Sequence, residues 1–139
     1  MRTLALILME AGPLPPGFHL HIDNSPWMPL DIEDIEISGP NGLPTVSVAH
    51  YGKQNGDPMR DPEMCFELVK TPLGALSLSS FYFRNDYLGI EQYSRYVSEK
   101  DCIVLSDLYR EHEQFARQWD RNIHAQGFLE ALTDKSIRG

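Results

Sequence analysis

Cysteine, positive charge and long apolar runs are all scarce in this chain. Only Cys65 and Cys102 occur among 139 residues, and nothing in their spacing resembles a metal-ligand or redox pair. They read as packed or idle thiols of a reducing compartment, so a cytoplasmic location is expected. Lys and Arg number 12 against 20 Asp and Glu, a net charge of −8. Gripping phosphate backbones takes clustered cations that displace counterions, so direct nucleic-acid binding is not expected. An acidic surface serves solubility, and it also suits docking on basic proteins or imitating nucleic acid. The early apolar stretch Thr3 to Met9 is too short to span a bilayer. It also lacks the basic lead-in and the small-residue cleavage site of a signal peptide, so no membrane association is expected. Neither a G-x-S-x-G elbow nor a Gly-rich phosphate loop is present, which leaves nucleophilic and nucleotide chemistry without support.

What the chain does have is enough apolar material for one core, 42% with six Phe, six Tyr and two Trp, and a single domain over 1–139 follows. Arg2 to Ala11 suits a short helix ended by Gly12-Pro13, or a strand. Phe18 to Ile22 alternates as a strand with His19 and His21 on its polar face. Pro26 and Pro29 force extended backbone around Trp27. From Leu30 to Ser38 the apolar parity changes at Glu33-Asp34, where a β-bulge is expected. Gly39-Pro40-Asn41-Gly42 joins this strand to the next as a hairpin. Val46, Val48 and His50 alternate, as do Met64, Phe66 and Leu68, with a long ordered loop between them that is rich in Gly, Pro, Asn and Asp. Strands at Leu76–Phe83 and Ile90–Val97 follow.

The period then changes. Leu105, Leu108, Tyr109, His112, Phe115, Ala116, Trp119 and Ile123 form one face of a helix of about five turns, with Asp120 mainly on the other side and Gly127 as its C-cap. A polar, frayed tail closes the chain. The fold class expected is α+β, a mainly antiparallel sheet of about five to six strands packed against a long C-terminal helix.

Two polar knots stand out: Tyr51, Asn55, Asp57, Arg60 and Asp61 in the long loop, and Arg84, Asn85, Asp86 and Tyr87 after the fifth strand. If the following strands are neighbours, both knots share one sheet end, and Arg-Asp pairing would stiffen them. The same residues could offer Tyr and Arg to a protein partner, where those types carry much of the binding energy. A second arrangement draws on His19, His21 and Asp23, on one strand face, with His50 as third imidazole and the loop carboxylates as further ligands of a metal-dependent hydrolase. A nuclease-type pairing of Glu67 with Lys70 fails on parity, because side chains three apart in a strand point to opposite faces.

The strings WMPL, SVAHYGKQNGDPMRDPEMCFEL, FRNDYLGIEQ and FARQWDRNIHAQGFLEAL, in that order, resemble a bacterial and phage-associated family, domain of unknown function 6908. The resemblance covers Trp27 to Leu132, and the N-terminal quarter departs from it. It implies an association with mobile elements, and it brings no catalytic residue and no cofactor. The expectation is a non-enzymatic protein-binding domain, of the kind that inhibits a host defence complex (anti-CRISPR or antirestriction type). The alternatives are the metal-dependent hydrolase and a homodimer joined at a free strand edge in place of a monomer.

Overall fold

The computed structural model describes residues 1–138. The order is helix α1 (Arg2–Glu10), strands β1 (His19–Asn24), β2 (Trp27–Ser38), β3 (Pro44–Gln54), β4 (Asp57–Lys70), β5 (Leu76–Asn85), β6 (Ile90–Tyr93), β7 (Arg95–Ser98) and β8 (Asp101–Val104), then α2 (Ser106–Ala125), α3 (Phe128–Ala131), a 3-10 turn (Asp134–Ser136) and β9 (Ile137–Arg138). Strands β6-β5-β4-β3-β2-β1-β9 form one antiparallel sheet in that order, and β7 and β8 form a separate ribbon. This is the α+β class expected, with more strands than the sequence pattern suggested.

The helices lie against one face of the sheet. Leu20, Ile22, Leu30, Ile32, Val46, Val48, Met64 and Phe66, at alternate positions of β1 to β4, are buried with Leu4 and Ile7 of α1, Trp119 and Ile123 of α2, and Phe128 of α3. Each such side chain contributes about 1.5–3 kcal/mol of burial, so this layer dominates the stability. Gly127 takes the left-handed conformation (φ 82°) that ends α2 and drops Phe128 into the core.

Five expectations need correction. The long loop is a hairpin. β3 runs to Gln54, β4 starts at Asp57, and Asn55-Gly56, both at positive φ, make the two-residue turn. Pro62 is accommodated where the β3–β4 pairing shifts: between the pairs Ala49↔Glu63 and Tyr51↔Arg60, Asp61 and Pro62 of β4 stand opposite His50 alone of β3. The β2 irregularity falls after Asp34, not at Glu33-Asp34, and ends at Ser38. Ile35 leaves the main core to join Cys65, Phe81 and Tyr82, and Ile37 stays exposed. Ile90–Val97 is not one strand but breaks at Ser94, so that β7 leaves the sheet to pair with β8. Asp120 is buried, its carboxylate accepting the N–H groups of Thr3 (3.0 Å) and Leu4 (3.2 Å) and so capping α1 from across the fold. The tail is ordered, with Ile137 and Arg138 pairing on β1.

Candidate functional site

Strand parity that buries Leu20 and Ile32 sends His19, His21, Asp31 and Glu33 to the opposite face of the sheet. Register places His21 beside Asp31 and His19 beside Glu33. His19 Nε2 and His21 Nδ1 both reach the same oxygen, Asp31 Oδ1, at 2.6 and 2.8 Å. Asp23 Oδ1 lies 3.2 Å from the other nitrogen of His21, and Glu33 Oε1 lies 3.6 Å from His19 Nε2. The two imidazole rings meet edge to face. Asp31 is a buried carboxylate, so donors must meet it, and the two imidazoles do. Pairing continues across the sheet through Glu33↔Ser47 and Glu63↔Arg84 to Arg84↔Glu91.

At the β4–β5 end the two polar knots meet, as the neighbouring strands require. Arg60 N–H donates to Asp86 Oδ2 (2.8 Å) and Asp86 N–H to the Arg60 carbonyl (2.9 Å). Arg84 Nε binds Asp86 Oδ1 at 2.8 Å and its Nη1 binds Glu91 at 3.1 Å, while Arg60 also faces Glu63 at 3.3 Å. Asn85 donates to Asp61 at 3.0 Å and accepts the N–H of Leu88. These contacts hold the Asp86 carboxyl below its ordinary range, first through the Arg60 backbone N–H and then through Arg84. Both guanidiniums are thus engaged inside the knot. Tyr51 is half-buried, its phenol pushed up to about 12 by burial and then by Glu63 and Glu33. Tyr87 is half-exposed and bridges to the Lys53 carbonyl at 3.3 Å. Its hydroxyl sits where a Cβ on Gly52 would stand, only 2.5 Å away, so glycine permits the approach. Asn55 and Asp57 stay outside the cluster, exposed at the hairpin tip.

A family model described as a domain of unknown function, DUF6908, matches residues 2–129. The chain belongs to that family. The match takes in α1 and β1, so the N-terminal quarter is part of the DUF6908 pattern and does not depart from it. No curated protein and no solved structure matches the chain.

The hydrolase set of the sequence reading is not assembled in this DUF6908 chain. His50 pairs with the core residue Leu30 and lies on the helix side, 5.5 Å from the Trp119 ring, with Nδ1 donating to the Pro29 carbonyl at 3.0 Å. The sheet itself separates it from His19 and His21. Burial lowers its pKa. It forms part of the floor of a groove of about 260 Å³ between α2 and the start of β2, lined also by Trp27, Phe115, Trp119 and Asn122. Phe115 is thus a groove wall, not core. Asp31 is the ligand-type residue that sequence reasoning missed. Its parity within β2 matched that of the histidines across the hairpin, and that register was the available signal.

The opposite end of the polar face is closed by a buried ion pair. Arg95 Nη1 meets Glu67 Oε1 at 2.7 Å, and Glu67 Oε2 takes the N–H groups of Asn41 and Leu43. Glu67 therefore holds the β2–β3 turn in place, a structural duty that leaves Lys70 outside.

Proposed function

We propose that this DUF6908 domain is a non-enzymatic binding protein whose helix-free sheet face docks on a basic surface of a protein partner. The supporting observation is the charge of that face: Asp23, Asp31, Glu33, Glu63, Asp86 and Glu91 are ranged against Arg60 and Arg84. The arginines are tied up by neighbours, so the net field is negative and the side chains carrying it are held stiff. Preorganised charge accelerates encounter and selects partners by sign. The partner class is a protein that handles nucleic acid, as components of host defence complexes do, because such proteins expose the clustered cations an acidic face complements. Tyr51, Tyr87 and the Asn55-Gly56 tip flank the charged rows and supply contact area.

The test is charge reversal. A Glu33→Lys, Glu63→Lys, Glu91→Lys variant should lose a partner that the wild-type chain retains at low salt and releases as ionic strength rises. Reversal of Glu111 and Glu130, on the helix side, should leave capture intact. A partner held equally well by both variants refutes the assignment of the face.

A further inference from the structure

We propose that His19 Nε2, His21 Nδ1 and Asp31 Oδ1 form a binding site for one divalent transition-metal ion of the zinc class. The three ligand atoms lie within 4.8 Å of one another. Zinc bonds to imidazole and carboxylate of about 2.0–2.2 Å in a tetrahedral shell put ligand atoms about 3.3 Å apart. The present separations of 2.6 and 2.8 Å therefore open by about 0.5–0.7 Å when an ion replaces the shared protons. Glu33 Oε1, at 3.6 Å from His19 Nε2, is close to that spacing from one of the three and offers a fourth donor.

Two further features go beyond hydrogen bonding of a buried carboxylate. His21 faces Asp31 through Nδ1 while its Nε2 is met by Asp23 at 3.2 Å, the carboxylate–imidazole–metal relay that fixes a ligand's tautomer and raises its basicity. The donors also come as a two-by-two array on adjacent strands, His19 beside Glu33 and His21 beside Asp31, with β1 held on its far side by β9. Ligands on paired strands are more precisely placed than ligands on loops. Two imidazoles with a carboxylate favour zinc or a neighbouring transition metal over magnesium or calcium, which prefer all-oxygen shells.

The experiment is calorimetric titration of the full chain, stripped with chelator, with zinc chloride, and with cobalt(II) as a spectroscopic stand-in. We expect one zinc per chain, a tetrahedral cobalt spectrum, and no heat with magnesium. Asp23→Ala should weaken binding about 10- to 100-fold, and His21→Ala more than that. His124→Ala, an exposed helical histidine, should leave the affinity unchanged. His19 is partly exposed, so His19→Ala keeps the fold, as circular dichroism should confirm, and decides the matter if Asp31→Asn unfolds. Absence of zinc uptake by the wild type, or equal affinity in wild type, His19→Ala and His21→Ala, overturns the site and leaves two imidazoles that only hydrogen-bond Asp31.

Discussion

Arg95→Met should remove a large part of the protein's stability. In the native fold Arg95 is only 4% exposed, and its guanidinium donates to Glu67 Oε1 at 2.7 Å and to the carbonyls of Ser80 and Ser79 at 3.0 and 3.1 Å. Methionine keeps much of the stem and supplies no donor. Glu67, fully buried, then retains only the two backbone N–H groups of the β2–β3 turn, and two carbonyls of β5 lose their partner. Removing one member of a buried ion pair costs about 3–5 kcal/mol, against about 5–15 kcal/mol for a whole domain. Urea unfolding followed by fluorescence of the buried Trp119 should show a loss of at least about 3 kcal/mol. The double variant Arg95→Met, Glu67→Leu removes the stranded charge and should be more stable than the sum of the single changes predicts, by at least about 1 kcal/mol. A single variant within about 1 kcal/mol of wild type, with an unchanged denaturant slope, refutes the view that the pair holds β7 and the turn to the sheet.

Gly39→Ala tests the same corner, since the new Cβ would stand 2.2 Å from Glu67 Cγ, which is pinned, and about 2–3 kcal/mol should be lost on denaturation. Gly52→Ala meets only the far end of the half-exposed Tyr87, and about 1 kcal/mol or less is expected, measured the same way. Asp120→Ala leaves the first turn of α1 without its acceptor and should cost about 1–2 kcal/mol, with lower helical ellipticity. Burial lowers the pKa of His50 from 6.5, so stability is fully present above that value and falls as pH drops below it. Each such histidine can add at most about 1.4 kcal/mol per pH unit to the slope, which should therefore shrink in His50→Leu. His112, lowered by burial too, supplies the remainder.

Alternation made β1 to β5 legible because one face of each strand enters the core while the other does not. The β3–β4 hairpin escaped because beyond His50 both of its faces meet solvent or the polar knot, and a strand with no buried side has no apolar period to read. Pro58 and Pro62 added loop signals that the turn end and the register shift absorb. Asp120 looked like an outward-facing helical charge, since the helix it caps is 116 residues distant in sequence. Arg95 and Glu67 are likewise silent in sequence, for an ion pair leaves no periodic trace. The tail was read as frayed from its polarity, yet β9 needs only backbone groups to join β1. Of the candidate site, the meeting of the two knots followed from strand adjacency. The separation of His50 from His19 and His21 turned on which side of β3 and β1 each faces.

The position of α2 late in the chain has a consequence for synthesis on the ribosome. Strands β1 to β6 are consecutive neighbours, so the sheet can assemble as it emerges, with its apolar side covered only by α1 until residues 106–125 follow. During that interval the nascent protein carries a broad greasy plane, and α1 still lacks the aspartate that caps its first turn. A message truncated shortly before α2 should therefore yield a chaperone client or an aggregate, not a smaller version of the same molecule.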